Sequence, residues 1–351
     1  MSDFTKRERV ECVLSGKLAD RPPVTAYRHF PMQERKPEDL AGIMLDWQNK
    51  YDWDIIKVHP TAVYMQEVYG DKFDYDHYVE EIFPTKTARA TDCNNLNIFT
   101  KKNMDDPVLK DMVKSVDLIM KGRKEDIPVY QTLFTPMTVI TNVFECPFVR
   151  RHFPAERSEN KIFEILKTHE DDVLQALDNI TDTYIEYWRA LRETGVDGLF
   201  YAGIAWAREG YMTMPEWEKY IKHFDLKFLN EVKKDGGRVM YHTCGMQSNP
   251  QRFVDYPMMD ILHWDQGAKD NPQIPEAMSF LGNITPMGGV DEMIFGTNSA
   301  EKIAQLTEAE VRQNKDIPFI LAPYCSVSIH SSEEELFAFR KGAECMLHDN
   351  K

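Results

Sequence analysis

The feature that most constrains this chain is a rhythm. Short apolar runs recur along its whole length, at about 24–27, 55–58, 128–133, 198–202, 239–245, 261–265, 284–290 and 319–325, and most of the gaps between them are long enough for a helix. Several gaps carry helical spacing: Leu40, Ile43, Met44 and Trp47 fall three or four apart within 37–51, and Leu174, Leu177, Tyr184, Trp188 and Leu191 share one face of a pattern running from 159 to 194. Thr213-Met214-Pro215-Glu216 and Ser332-Glu333-Glu334-Glu335 read as capping boxes that start further helices. Eight strands alternating with helices close most simply as a (β/α)8 TIM barrel. With no Pro-, Gly- or Ser-rich linker and no internal repeat, the expectation is one domain over 1–351. A helix at 5–16 precedes it, and an irregular insertion or hairpin at about 62–105 follows the second strand.

Composition narrows what such a barrel can do. Forty-two Lys and Arg against 57 Asp and Glu give a net charge of −15 with no basic stripe, which excludes nucleic acid as the expected partner. No apolar run approaches the ~20 residues of a membrane helix. The charged start, Thr5-Lys6-Arg7-Glu8, is not an export signal, so the expected compartment is the cytoplasm. Six cysteines at 12, 93, 146, 244, 325 and 345 are too sparse for a disulfide scaffold, and their thiols stay available for a metal.

Within the fifth run, Val239-Met240-Tyr241-His242-Thr243-Cys244-Gly245, the side chains of His242 and Cys244 are two residues apart and share one face of the strand. Cys325 ends the eighth run in the equivalent place. In a closed barrel the three converge at the mouth, and one imidazole with two thiolates is a zinc ligand set that leaves the fourth tetrahedral position open for chemistry. The competing reading is a hydrogen-bonded histidine beside buried thiols. Cys12 and Cys345 read as core residues, and Cys93 and Cys146 as ordinary thiols.

Several stretches together resemble the uroporphyrinogen decarboxylase superfamily, and in particular its zinc-dependent, corrinoid-linked methyltransferase branch. They are Thr5-Lys6-Arg7-Glu8-Arg9-Val10, Asp20-Arg21-Pro22-Pro23-Val24, Asp54-Ile55-Ile56-Lys57, Gly195-Val196-Asp197-Gly198, His242-Thr243-Cys244-Gly245, Gly289-Val290-Asp291 and Ala322-Pro323-Tyr324-Cys325. The branch's His-x-Cys plus distant Cys falls on His242, Cys244 and Cys325. The decarboxylases follow the Arg-Pro-Pro-Val segment with Met-Arg-Gln-Ala-Gly-Arg, whereas this chain has Thr25-Ala26-Tyr27-Arg28-His29-Phe30 and keeps one Arg. A substrate with many carboxylates needs several cations, so this departure argues against a tetrapyrrole decarboxylase.

The resemblance implies Zn²⁺ at the three ligands and a corrinoid (cobalamin), free or on a corrinoid protein, as methyl carrier to or from a small thiol or other acceptor or donor. Asp265, ending the sixth strand, is a candidate outer zinc ligand or partner of His242, with His263 as its rival; a solvated or capping carboxylate is the bland alternative. Tyr27, Tyr201 and Asp291 fall near strand ends as candidate pocket lining. Gly288-Gly289 suits a phosphate site or a simple turn. The rival functions are a decarboxylase acting on a carboxylated substrate and a non-catalytic corrinoid or tetrapyrrole carrier.

Overall fold

A computed structural model of the chain describes residues 4–91, 95–146, 157–204, 206–208 and 210–348. Nine strands are described: β1 (Ile56–Val58), β2 (Lys72–Val79), β3 (Phe83–Ala88), β4 (Val129–Phe134), β5 (Gly198–Ile204), β6 (Arg238–Thr243), β7 (Ile261–His263), β8 (Thr285–Val290) and β9 (Ile320–Pro323). All but β2 and β3 form one sheet in the order β1-β4-β5-β6-β7-β8-β9, and every neighbouring pair in it is parallel.

The sheet curls into a barrel, and the expected first strand is its eighth stave. Leu321 N donates to Pro23 O at 2.8 Å and Thr25 N to Leu321 O at 3.1 Å, while Asp54 N donates to Val24 O at 2.9 Å. This stave amounts to a single bridge, Val24 with Leu321. The reason is chemical: Pro22 and Pro23 have no N–H to extend a ladder.

Because strand side chains alternate, the barrel carries two cores. Ile55, Tyr130, Phe200, Met240, Ile261, Met287 and Ile320 pack together in the lumen. Ile56, Val129, Leu199, Val239, Leu262, Val290 and Leu321, one residue out of phase, pack against the helical layer. Each strand then continues toward its carboxyl end with polar residues in the inward phase. Ile55 is followed by Lys57 and His59, Met240 by His242 and Cys244, and Ile261 by His263 and Asp265.

The helices follow the sequence pattern with a few differences. Lys6–Leu14 starts on a capping box between Thr5 and Glu8. Pro37–Tyr51 has Pro in its first turn and ends where Asp52 adopts φ 56°. The pattern at 159–194 is two helices, Ile162–Thr168 and Glu170–Glu193, broken at His169. Pro136–Val143 and Ile274–Leu281 are helices that sequence periodicity did not reveal. At eight residues each they are too short to show a clear helical period.

The insertion after the second stave contains an antiparallel hairpin, β2 with β3, irregular in register between Asp74 and Tyr78. Tyr78 accepts from Met32 N at 2.9 Å, and Glu81 pairs with His330 at 2.9 Å. The hairpin is thereby tied to the loops that follow the first stave and β9, both at the carboxyl end of the barrel. Among the described residues, no helix is long and apolar enough to cross a membrane.

Candidate metal centre

His242, Cys244 and Cys325 meet at the carboxyl end of the lumen. Their ligand atoms all lie within 4.8 Å of one another. Two donors held at about 2.3 Å from one tetrahedral ion sit about 3.8 Å apart, so closing on a zinc ion asks for movements of about 1 Å. The local sequence explains the convergence. Inward phase on β6 sets His242 and then Cys244, and Gly245 at φ 80° turns the chain immediately afterwards. Ala322 belongs to the lumen, and the bend at residues 324–325 directly after β9 brings Cys325 in from the other side.

The electrostatics bear on the choice between a metal site and a packed thiol cluster. Neither Cys244 nor Cys325 is in a disulfide. The Cys244 thiol, followed by His242, holds Cys325 well below the ordinary thiol range against the opposing effect of burial. His242 is 4% exposed, and its Nδ1 is buried with no hydrogen-bond partner. That nitrogen is not tied up in the structural bond a core histidine would make.

Two aromatic rings orient His242. Phe200 stacks on it at 5.3 Å between centroids, and the His263 ring lies 4.6 Å away on the other neighbouring strand. His263 sits directly across from His242 in the β6–β7 register. It is not a ligand, because its Nε2 faces Pro323 O at 3.0 Å and its Nδ1 faces the Tyr27 hydroxyl at 3.2 Å. The carbonyl can only accept, so Nε2 carries the proton and Nδ1 accepts from Tyr27. Burial first, and then His242, push the His263 pKa well below its usual value and keep the ring neutral.

The other expected site residues divide. Tyr27 is in the lumen and touches the site through His263. Asp265 is buried at the end of the inward column on β7, where its Oδ1 accepts from Gly267 N at 3.0 Å; the three-ligand group does not extend to it. Asp291 accepts from Met293 N at 2.8 Å and caps the turn Glu292–Ile294 after β8. Tyr201 points the other way: its hydroxyl donates to Asp225 in the helical layer at 2.9 Å, so it does not line the lumen. One residue of phase decides this, since its neighbours Phe200 and Ala202 are the inward pair.

The Gly288-Gly289 pair is occupied by protein rather than phosphate. Gly289 N donates to Gln266 Oε1 at 3.1 Å and Gln266 Nε2 donates to Met287 O at 3.0 Å, and a Cβ on Gly288 would fall 2.0 Å from that amide. Cys12 donates to Leu18 O at 3.4 Å, Cys146 and Cys345 are buried, and Cys93 lies outside the described residues. Lys57, His59 and Phe200 belong to the same lumen but were not expected there. The available signal was the alternation of Ile55, Lys57 and His59 with apolar Ile56 and Val58.

The family model for uroporphyrinogen decarboxylase (URO-D) matches residues 5–344. The chain belongs to the uroporphyrinogen decarboxylase family. No curated protein matches it in sequence. Among solved structures, a methyltransferase from Methanosarcina mazei is similar with a TM-score of 0.75 at 17% identity, covering 98% of this chain and 100% of the other. A B12-independent methionine synthase from Shewanella sp. W3-18-1, solved with selenomethionine, is similar with a TM-score of 0.59 at 12% identity, covering 94% and 99% of the two chains. At those identities the two likenesses establish a shared fold. The family as a whole is named for a decarboxylase, so the choice of chemistry rests on the site.

Proposed function

We propose that this member of the uroporphyrinogen decarboxylase family is a zinc-dependent methyltransferase. It moves a methyl group between a corrinoid, free or carried on a corrinoid protein, and a thiol or comparable small molecule. The observation that carries the reading is the meeting of His242, Cys244 and Cys325 within 4.8 Å at the catalytic end of a barrel. Zinc held by these three would supply a Lewis acid with one open position, able to keep an incoming thiol as its thiolate at neutral pH.

The chain's own residues prepare that position. Cys325 is favoured as thiolate by Cys244 and His242. Phe200 and neutral His263 hold the His242 ring from either side, and the Pro323 carbonyl fixes the His263 tautomer while the Tyr27 hydroxyl donates to its other nitrogen. The apolar lumen beneath, including Met240, Ile261 and Ala322, excludes water from below. A bound corrinoid would supply the methyl group as an electrophile, its cobalt keeping the bonding pair, for a thiolate held beside His242, Cys244 and Cys325. The reverse direction uses the same site.

Two further observations agree with this choice. The Methanosarcina mazei protein of the same fold is a methyltransferase. Arg28, the one arginine left in the segment where the decarboxylases carry a cluster, donates to Ile329 O at 2.7 Å and lies over the Trp47 ring at 4.9 Å. Its Nη1 is thereby used within the protein, and a single guanidinium cannot match several carboxylates.

The test is to incubate zinc-loaded protein anaerobically with methylcobalamin and a panel of thiols, and in reverse with cob(I)alamin and methylated donors including methylfolates. The expected result is interconversion of the methylcobalamin and cob(I)alamin spectra with at least one member. Binding without demethylation on adding thiols would favour the carrier reading. No change in either direction would overturn the proposal.

A further inference from the structure

Lys57 is an unusual residue to find inside a barrel. It is 5% exposed, and among the described residues its ammonium has one hydrogen-bond partner, His59 Nδ1, at 2.6 Å. An ammonium can only donate, so His59 Nδ1 accepts and the ring proton sits on Nε2. His59 Nε2 is itself buried without a partner, in a residue 5% exposed. The pair therefore holds a buried ring N–H without a partner and a buried ammonium with a single hydrogen-bonded acceptor.

The local charges answer that demand only at a distance: Cys325 and Glu34 both favour the charged form of Lys57, but among the described residues neither makes an ion pair with it. Glu34, the carboxylate of this cluster, accepts from Phe30 N and lies 3.1 Å from His29 Nδ1, and it makes no ion pair with Lys57. The ammonium instead lies over two aromatic faces, 4.3 Å from the Tyr27 centroid and 4.3 Å from that of Phe200. Such contacts stabilise a cation only modestly, whereas an unpaired buried charge costs several kcal/mol. Consistent with this, burial pushes Lys57 down to about 7, partly offset by Cys325 and Glu34. Phe200 has His242 stacked on it at 5.3 Å, so a single ring links the cation to a metal ligand.

We infer that Lys57 and His59 form an anion subsite that binds a carboxylate, or a comparable oxyanion, on the small molecule whose sulfur or methyl group is presented to His242, Cys244 and Cys325. The position of the reacting end rests on the methyl-transfer reading; the anion subsite itself stands on the unmet donors. A carboxylate would accept from the ammonium hydrogens that His59 Nδ1 leaves unused, with His59 holding Lys57 in place, and would add a directly paired charge to the more distant effects of Cys325 and Glu34. It would also fix which end of the substrate faces the three ligands.

The experiment uses the full chain and a probe that needs no metal: propionate, with neutral propionamide as its isostere, titrated calorimetrically at pH 6.5. Zinc content is measured in every sample, so a failure of the metal reading shows separately. The subsite predicts that propionate binds at least about tenfold more tightly than propionamide, since hydrogen bonds to a charged group are worth more than neutral ones. Lys57→Met, which keeps the aliphatic stem, should lose that preference. His59→Phe, which keeps the ring against Tyr27 and His29, should weaken propionate by about threefold to tenfold. Both variants should retain the zinc content and circular dichroism of the parent, which guards against misfolding. Equal binding of propionate and propionamide by the parent, or undiminished propionate binding by both variants, would overturn the inference. Selective binding that depends on Lys57 supports it whatever the zinc content.

Discussion

Two buried charged residues of this barrel, only three apart, are treated in opposite ways. Asp54, just before β1 at the amino end, accepts from Arg9 at 2.8 Å, from both terminal nitrogens of Arg21, and from Val24 N at 2.8 Å. Asp20 adds a second carboxylate to Arg9 at 2.7 Å, so donors and acceptors are matched. Lys57, at the carboxyl end, has one neutral acceptor, and nearby His59 Nε2 and His242 Nδ1 have none. A matched buried network holds the fold together, whereas an unmatched cation and two unmatched imidazole nitrogens gathered in one lumen call for a partner of their own. The same contrast separates stability from chemistry in barrels of this architecture generally.

The largest expected effect breaks the carboxyl end alone. Cys325→Ser should lower methyl transfer by about a hundredfold or more, because loss of even an outer partner of a metal ligand costs 10–100-fold. Its thermal unfolding should stay near that of the parent, and a comparable fall in stability would show that the thiols are structural. Asp54→Ala should do the reverse. It leaves Arg9 and Arg21 buried without their shared carboxylate, a loss of about 3–5 kcal/mol measurable by urea denaturation, with zinc binding retained at low temperature.

A third buried polar group sharpens the comparison because its hydrogen bonds are made and yet it titrates. Asp225 accepts from Tyr201, Tyr241 and Tyr256 at 2.9, 2.8 and 3.1 Å, and burial, opposed by those three bonds, raises it to about 7. A raised carboxyl binds its proton more tightly in the folded chain, so its contribution is full below about pH 4 and is lost as pH rises toward 7. The stability of the parent relative to Asp225→Asn should therefore fall by about 2–4 kcal/mol between pH 4 and 7. Denaturant melts of both proteins across that range check it, and a flat difference would refute it.

The smallest effect should come from Tyr27→Phe, which removes the hydroxyl at 3.2 Å from His263 Nδ1. About 1 kcal/mol of stability is expected to go, with zinc affinity changing by less than about tenfold. A larger change in zinc affinity would mean that the Tyr27–His263 pair holds His242 more firmly than two stacked rings require.

What the sequence revealed tracks periodicity and exclusive chemistry. Alternating apolar runs made the barrel legible, and His242, Cys244 and Cys325 stood out because few roles suit two thiols and an imidazole at strand ends. The first stave was legible as a strand, but it is a single bridge because Pro22 and Pro23 cannot ladder. Tyr201 and Tyr27 look equivalent in sequence, yet inward or outward phase depends on where the barrel wall passes, and one residue reverses it. Gly288-Gly289 could not be resolved without seeing Gln266 laid across it. Lys57 was harder still, because a lysine between isoleucine and valine does not announce that its ammonium will have a single neutral acceptor; only the packed lumen shows that.

The proposed methyl transfer depends on one imidazole and two sulfurs gripping the same ion. The direct measurement is metal analysis of the purified chain combined with zinc-edge X-ray absorption. The predicted result is one zinc per chain with two sulfur neighbours at about 2.3 Å and one imidazole nitrogen at about 2.0 Å, lost on Cys244→Ser or Cys325→Ser. A chain that will not take up zinc, or a bound zinc whose first neighbours are all oxygen and nitrogen, would contradict it.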